Sequence, residues 1–174
     1  MDITLPFTDE IIKKLRAGDR IRLSGVLYTA RDAAHKRMSE ALTKGDVLPF
    51  ELKGATIYYA GPTPAKPGRI IGSCGPTTSG RMDAYTPTLL DLGLKAMIGK
   101  GQRSDEVIDA IKRNNAIYLG AIGGAGALYS ECITSMEVIA YEDLGPESIK
   151  KLTVKDMPLT VIIDSCGNCL YHLD

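Results

Sequence analysis

The chain has 174 residues, of which 44% are hydrophobic and 24% charged, with 21 Lys+Arg against 21 Asp+Glu. That length buries the core of one domain, at most two small ones, which excludes a disulfide-stapled miniprotein, and the ordinary globular composition excludes intrinsic disorder. Zero net charge removes the basic footprint of a general nucleic-acid or anionic-membrane binder, so neither is expected as a partner and any anion must be caught locally.

The opening Met1-Asp-Ile-Thr-Leu-Pro-Phe-Thr8 has no basic stretch followed by an apolar one, and no apolar run is long enough to span a bilayer. A soluble, cytoplasmic protein is the expectation. The first predicted helix covers 8–17, with Thr8 as N-cap, Asp9 and Glu10 at the positive end of the dipole, and Ile11, Ile12 and Leu15 on its buried face up to Gly18. Residues 20–28 read as a strand and 31–44 as a helix stopped by Gly45. Residues 55–60 are β-rich and lead into a loop, 61–68, that holds three prolines. A further strand is expected at 69–73. Pro87 marks either the first turn of a helix capped by Thr86 or a break, with Leu89, Leu90 and Leu92 as the apolar residues before Gly93.

A short strand at 96–98 is followed by the loop Gly99-Lys100-Gly101 and by a capped amphipathic helix at 104–112. Residues 116–119 are strand-like and run into Gly120-Ala-Ile-Gly-Gly-Ala-Gly126. From Ser135 onward the pattern predicts strands at 136–141, 152–155 and 159–163. The whole is a mixed α/β domain whose glycine loops follow strand ends, where open α/β sheets place ligands.

Five segments carry candidate chemistry. Thr77-Thr78-Ser79-Gly80-Arg81 concentrates three hydroxyls and a guanidinium after a Gly-Pro kink; the plain alternative is Ser79 as an N-cap with a solvated Arg81. The loop around Gly123 and Gly124 matches neither nucleotide-binding glycine pattern and is either a small-anion or substrate loop or a close backbone packing. Arg31 and His35 share a helix face, and Lys100 stands between two glycines. Cys166-Gly-Asn-Cys169 has no second ligand pair to make a zinc site and is equally explained as a hairpin turn using Gly167 and Asn168. With Cys74 and Cys132 these cysteines are expected as thiols, with no metal ligand among them.

Taken together, Gly25-Val-Leu-Tyr-Thr-Ala-Arg-Asp-Ala-Ala-His-Lys-Arg37, Tyr59-Ala-Gly-Pro62, Gly75-Pro-Thr-Thr-Ser-Gly-Arg-Met-Asp83, Gly99-Lys-Gly101 and Gly123-Gly-Ala125 give the chain its likeness. In order and spacing it resembles the β subunit, or equivalent C-terminal domain, of the class I iron–sulfur hydro-lyases, the family of class I fumarases and L-tartrate dehydratases. At the C-terminal turn that family usually shows Asp-Ser-Lys-Gly-Asn, so Cys166 and Cys169 are a local departure. The resemblance covers essentially all of residues 1–174 and implies one domain with a swivelling β/β/α fold, mixed sheets and flanking helices.

The resemblance further implies a C4 dicarboxylate substrate and a [4Fe–4S] cluster carried by a separate α subunit in a hetero-oligomer. The expected reaction is reversible hydration of fumarate to (S)-malate, with L-tartrate dehydration or a non-catalytic small-anion module as alternatives. Arg31, Arg81 and Lys100 would supply cations for two carboxylates and for charge that develops beside one of them. Thr78, Gly123 and Gly124 would complete substrate binding. Thr77 is implied as the group exchanging the substrate's carbon-bound proton, with the catalytic Lys100 and with Arg81 nearby to favour an alkoxide-like base, and His35 is a second acid/base candidate because its ordinary pKa lies near neutrality.

Overall fold

Seven strands form one sheet that curls back on itself. The computed structural model describes residues 1–172, and its strands are β1 (Asp2–Thr4), β2 (Arg20–Thr29), β3 (Thr56–Tyr58), β4 (Ala96–Gly99), β5 (Ile117–Gly120), β6 (Ile133–Ala140) and β7 (Ile149–Ile163). β2, β3, β4 and β5 are parallel neighbours in that order, and β7 runs antiparallel to both β5 and β2. The five strands therefore close into a small barrel, with β1 parallel on β2 and β6 antiparallel on β7 outside the ring.

The helices are α1 (Asp9–Lys14), α2 (Asp32–Thr43), α3 (Thr86–Asp91), α4 (Asp105–Arg113) and α5 (Gly126–Glu131), with short 3-10 turns at Ser79–Met82, Glu142–Glu147 and Leu170–His172. Strand alternation divides the core in two. Tyr58, Ile98 and Leu119 point into the barrel with Leu23, Leu27 and Val161. Their neighbours Ile57, Met97 and Tyr118 face the other way, onto Met38, Leu90, Val107 and Ile111 of the flanking helices. Burial on both faces is what a parallel sheet under helices requires, and it explains why these strands read as apolar runs.

Local chemistry agrees with most expected boundaries. Thr8 Oγ1 accepts from the Ile11 amide and Ser104 Oγ from the Val107 amide, so both expected N-caps are made. α2 has no side-chain cap of its own; instead the Glu147 carboxylate accepts from the Ala33 amide at 3.3 Å, tying the start of α2 to a segment 114 residues away.

Five expectations are corrected. The strand at 69–73 does not form: the stretch is irregular, held by Thr63 Oγ1 accepting from the Ser73 amide, and it lines an open cavity against α5. The strands at 152–155 and 159–163 are one continuous strand, β7, in which Pro158 is accommodated and Asp156 takes a positive φ of 51° as the strand bends around the ring. α1 stops at Lys14, because Leu15 turns extended to bury its side chain in the core. Leu92 is 50% exposed, since α3 is too short to turn it inward. Ser79 is no N-cap; it is the first residue of a 3-10 turn and is buried.

The Cys166-x-x-Cys169 segment is a tight turn. Ile163 and Cys169 form an antiparallel bridge, Gly167 takes a φ of +85°, and the buried Asp164 carboxylate accepts from the amides of Ala17, Cys166 and Asn168. After the bridge the chain coils into a 3-10 turn instead of a second strand.

Candidate functional site

The candidate residues follow the C-terminal ends of four adjacent parallel strands. Arg31 comes two residues after β2, residues 77–81 return to the end of β3, Lys100 follows β4, and Gly123 and Gly124 follow β5. The loops are stitched through their backbones. The Thr77 amide donates to the Tyr59 carbonyl at 2.8 Å, the Ser79 amide to the Lys100 carbonyl at 2.9 Å, and Thr78 and Lys100 form a parallel bridge. Gly99 is required at the junction: a Cβ there would collide with Ser79 Oγ and crowd the Tyr59 ring.

Arg81 Nη2 donates to Thr77 Oγ1 at 2.5 Å and stands 3.5 Å from an Asp32 carboxylate oxygen. Both members of the ion pair are about half exposed, so solvent screens it. Lys100 is exposed and lies across the glycine loop, its Nζ 3.5 Å from where a Gly123 Cβ would stand. A Cβ at 123 would stand in ordinary van der Waals contact with that lysine. The Gly124 position is open, with a φ of +80°.

Arg31 is half-buried, packed so closely on Gly61 that a Cβ there would stand 2.7 Å from Nη1, and its buried Nε has no hydrogen-bond partner. Among the described residues no hydrogen bond or ion pair joins the side chains of Arg31 or Lys100 to Thr77 or Arg81. Three cations thus share one rim, and among the described residues Arg81 is the one of the three with a carboxylate beside it.

His35 is 1% exposed and sits beneath the rim. Its Nδ1 lies 2.8 Å from the Arg31 carbonyl, its Nε2 is buried without a partner, and its ring packs against Tyr59 and Tyr85. Burial pushes its pKa down to about 4, the Arg31 hydrogen bond opposing and the Arg103 charge adding to the shift. A neutral ring donating from Nδ1 fits this geometry.

Sequence reasoning missed the polar group behind these loops. Arg103, 7% exposed, donates from Nε to Asp83 at 2.6 Å and from Nη2 to Tyr59 and Thr86 hydroxyls, and the other Asp83 oxygen accepts from the Ser104 amide at 2.7 Å. The Tyr118 hydroxyl donates to the Gly101 carbonyl at 2.9 Å and lies 2.8 Å from Ser79 Oγ. The available signal was an arginine directly before the helix cap Ser104, a position with no helical face to hold it in solvent.

The cysteines do not assemble. Cys74 and Cys169 are buried, with the Cys74 thiol pushed up to about 12 by burial, Cys132 contacts the Leu128 carbonyl, and Cys166 is exposed on its turn. Among the described residues no three His, Cys, Asp or Glu side chains are grouped to hold a metal ion, so this chain does not fit an iron–sulfur cluster as its ligand.

The fold and rim define a small α/β barrel domain with cations and hydroxyls gathered at the carboxyl ends of parallel strands. The chain belongs to the fumarase C-terminus family, whose model matches residues 1–173. It is 39% identical over 99% of its length to "Fumarate hydratase class I, aerobic" of Salmonella typhimurium, covering 30% of that protein. It is 42% identical over 88% of its length to the aerobic class I fumarate hydratase of Escherichia coli, covering 28%. With "Putative L(+)-tartrate dehydratase subunit beta" of Methanocaldococcus jannaschii it shares 36% identity, and the match covers 95% of this chain and 88% of that one. The chain thus spans under a third of the fumarate hydratases and most of the β subunit.

Proposed function

We propose that this chain is the β subunit of a two-subunit hydro-lyase of the class I fumarase type, adding water reversibly across the double bond of fumarate to give (S)-malate. The observation that carries the reading is the placement of Arg31, Arg81 and Lys100 on separate loops of one rim, with Arg81 donating to Thr77 Oγ1. A dicarboxylate needs two anionic groups held. Proton removal beside a carboxylate builds charge that fixed cations stabilise far better than reorganising water does.

In this proposal Arg31, Arg81 and Lys100 grip the carboxylates, with the Thr78 hydroxyl and the backbone of Gly123 and Gly124 as further donors. Thr77 exchanges the proton at the substrate carbon. A threonine oxygen is a poor base alone, and the Arg81 guanidinium 2.5 Å away lowers the cost of negative charge on it. His35, the second acid/base candidate of the sequence, is buried and held neutral, so in this proposal it serves the site from below by fixing the Arg31 carbonyl instead of exchanging a proton with substrate. A [4Fe–4S] cluster would be held by a partner α subunit and would supply Lewis acidity there. The domain is proposed to act as one unit over residues 1–174, of the swivelling β/β/α type, in the cytoplasm; no helix among the described residues is long and apolar enough to cross a membrane.

The experiment is anaerobic co-expression of the chain with a cluster-bearing α subunit, assayed on fumarate and on L-tartrate. Fumarate turnover by the pair, with the isolated chain colourless and inactive after treatment with iron and sulfide, is expected. A cluster spectrum or turnover from the isolated chain would overturn the two-subunit reading. L-tartrate is a second reading because the relative that this chain covers almost whole carries that name. Turnover of tartrate but not fumarate would select it.

A further inference from the structure

We infer that Arg103 and Asp83 are positioning residues: their buried ion pair locks the loop bearing Thr77 and Arg81 to the loop bearing Lys100. The inference rests on the reading of those loops as the site. Neither residue faces the rim, and neither is assigned to touch substrate.

The two loops leave different strands and are otherwise joined through the Thr78 and Lys100 backbone bridge, the Ser79 amide, and the Tyr118 hydroxyl shared by Ser79 Oγ and the Gly101 carbonyl. Arg103 stands three residues after Lys100, and Asp83 two residues after Arg81. Asp83 uses both oxygens across the gap, one on Arg103 Nε and one on the Ser104 amide. The guanidinium carbon is 5.2 Å from the Tyr59 ring centre and 4.8 Å from that of Tyr118, so it is held between two aromatic rings. Tyr59 leads back to the site, because its carbonyl accepts from Thr77 and its hydroxyl from Arg103. Tyr118 leads to the other loop through the Gly101 carbonyl.

Burying a charge this deeply is costly, and an apolar pair of similar volume would serve packing at least as well. What an apolar pair lacks is direction. A planar guanidinium with partners on Asp83, Tyr59 and Thr86 fixes the angle as well as the distance between the segments it joins. The consequence is a fixed offset between Arg81, which polarises Thr77, and Lys100, which stands over the glycine loop.

The test uses Arg103→Met, Arg103→Lys and Asp83→Asn, each as the full chain for amide hydrogen exchange and as the complex with the α subunit for kinetics. Exchange at the Thr77 and Ser79 amides should rise about tenfold or more, while amides of β4 and β5 keep their protection. In the complex, kcat should fall about a hundredfold, the size of a misplacement near 1 Å, and Tm should fall as well because the remaining partner is left buried and unpaired. Arg103→Lys should recover little, because its charge returns without the planar fork. Unchanged exchange at Thr77 and Ser79 in both Arg103→Met and Asp83→Asn would overturn the inference. If Arg103→Met loses protection throughout the sheet, Asp83→Asn, which conserves shape, decides: a local rise supports the inference, and a global rise or none refutes it. A wild-type complex without hydratase activity would remove the proposed function and leave the exchange result to judge the pair on its own.

Discussion

Asp83 and Asp164 each anchor a turn beside a strand end, and each accepts several hydrogen bonds. Asp164 is satisfied by amides of Ala17, Cys166 and Asn168 and by the Asn168 side chain, all neutral donors. Its turn shapes only itself and its contact with residue 17. Asp83 takes a guanidinium from a different loop and so transmits position between segments. A carboxylate closed by backbone amides stabilises a turn and here ties it to residue 17; one closed by a buried guanidinium also couples two loops of the candidate site. The eye-catching Cys166-x-x-Cys169 falls in the first kind, and the unremarked Asp83 in the second.

That contrast can be pressed from both ends. The largest effect belongs to the rim beyond Asp83: Arg81→Lys should cut kcat/KM by about 10²–10³, because the planar donor to Thr77 and to a carboxylate is lost although charge stays. Steady-state kinetics of the complex would show it, and activity within threefold of wild type would remove Arg81 from substrate binding. Thr77→Val should match it in kcat while leaving folding intact; proton exchange at the substrate carbon continuing at the normal rate would show that Thr77 is not the base.

Next in size is a pH effect beneath the rim. His35 has a folded pKa of about 4 against an ordinary value of 6.5, so the unfolded chain binds the proton first. Stability should therefore be full above about pH 6.5 and fall as pH drops toward 4, by roughly 3 kcal/mol at most. Denaturant titrations at both ends of that window would measure it, and His35→Gln should flatten the slope.

On the other turn, Asp164→Ala should cost about 2–3 kcal/mol in unfolding free energy, by stranding buried amides, yet leave kcat of the assembled enzyme within about twofold. A large kcat loss at full folding would break the contrast between the two carboxylates. Smallest of all, Cys166→Ser with Cys169→Ser should leave activity and metal content close to unchanged; elemental analysis showing loss of a bound metal would overturn the turn assignment.

Much of this was legible in the sequence where the signal was local. Thr8 and Ser104 announce helix starts through their spacing to the first amides, and the parallel strands announce themselves as short apolar runs before glycine loops. The candidate loop residues were named from their chemistry and the family likeness, and the structure brings their loops to adjacent strand ends. What stayed hidden was long-range. Residues 69–73 have strand composition but find no neighbour to pair with. β7 looked like two strands because Asp156 and Pro158 interrupt its pattern, while its partners β2, β5 and β6 override the interruption. Arg103 and Asp83 are 20 residues apart and mean nothing until the loops meet.

Closure of the barrel has a mechanical consequence. Each of β2, β3, β4 and β5 is hydrogen-bonded on both sides within the ring, so none presents a free edge along which it could slide. The four footings from which the rim rises are thus pinned at strand spacing, about 4.8 Å per step. Any opening or tightening of the rim must be carried out by the loops above a rigid chassis, whose anchor points keep their separation.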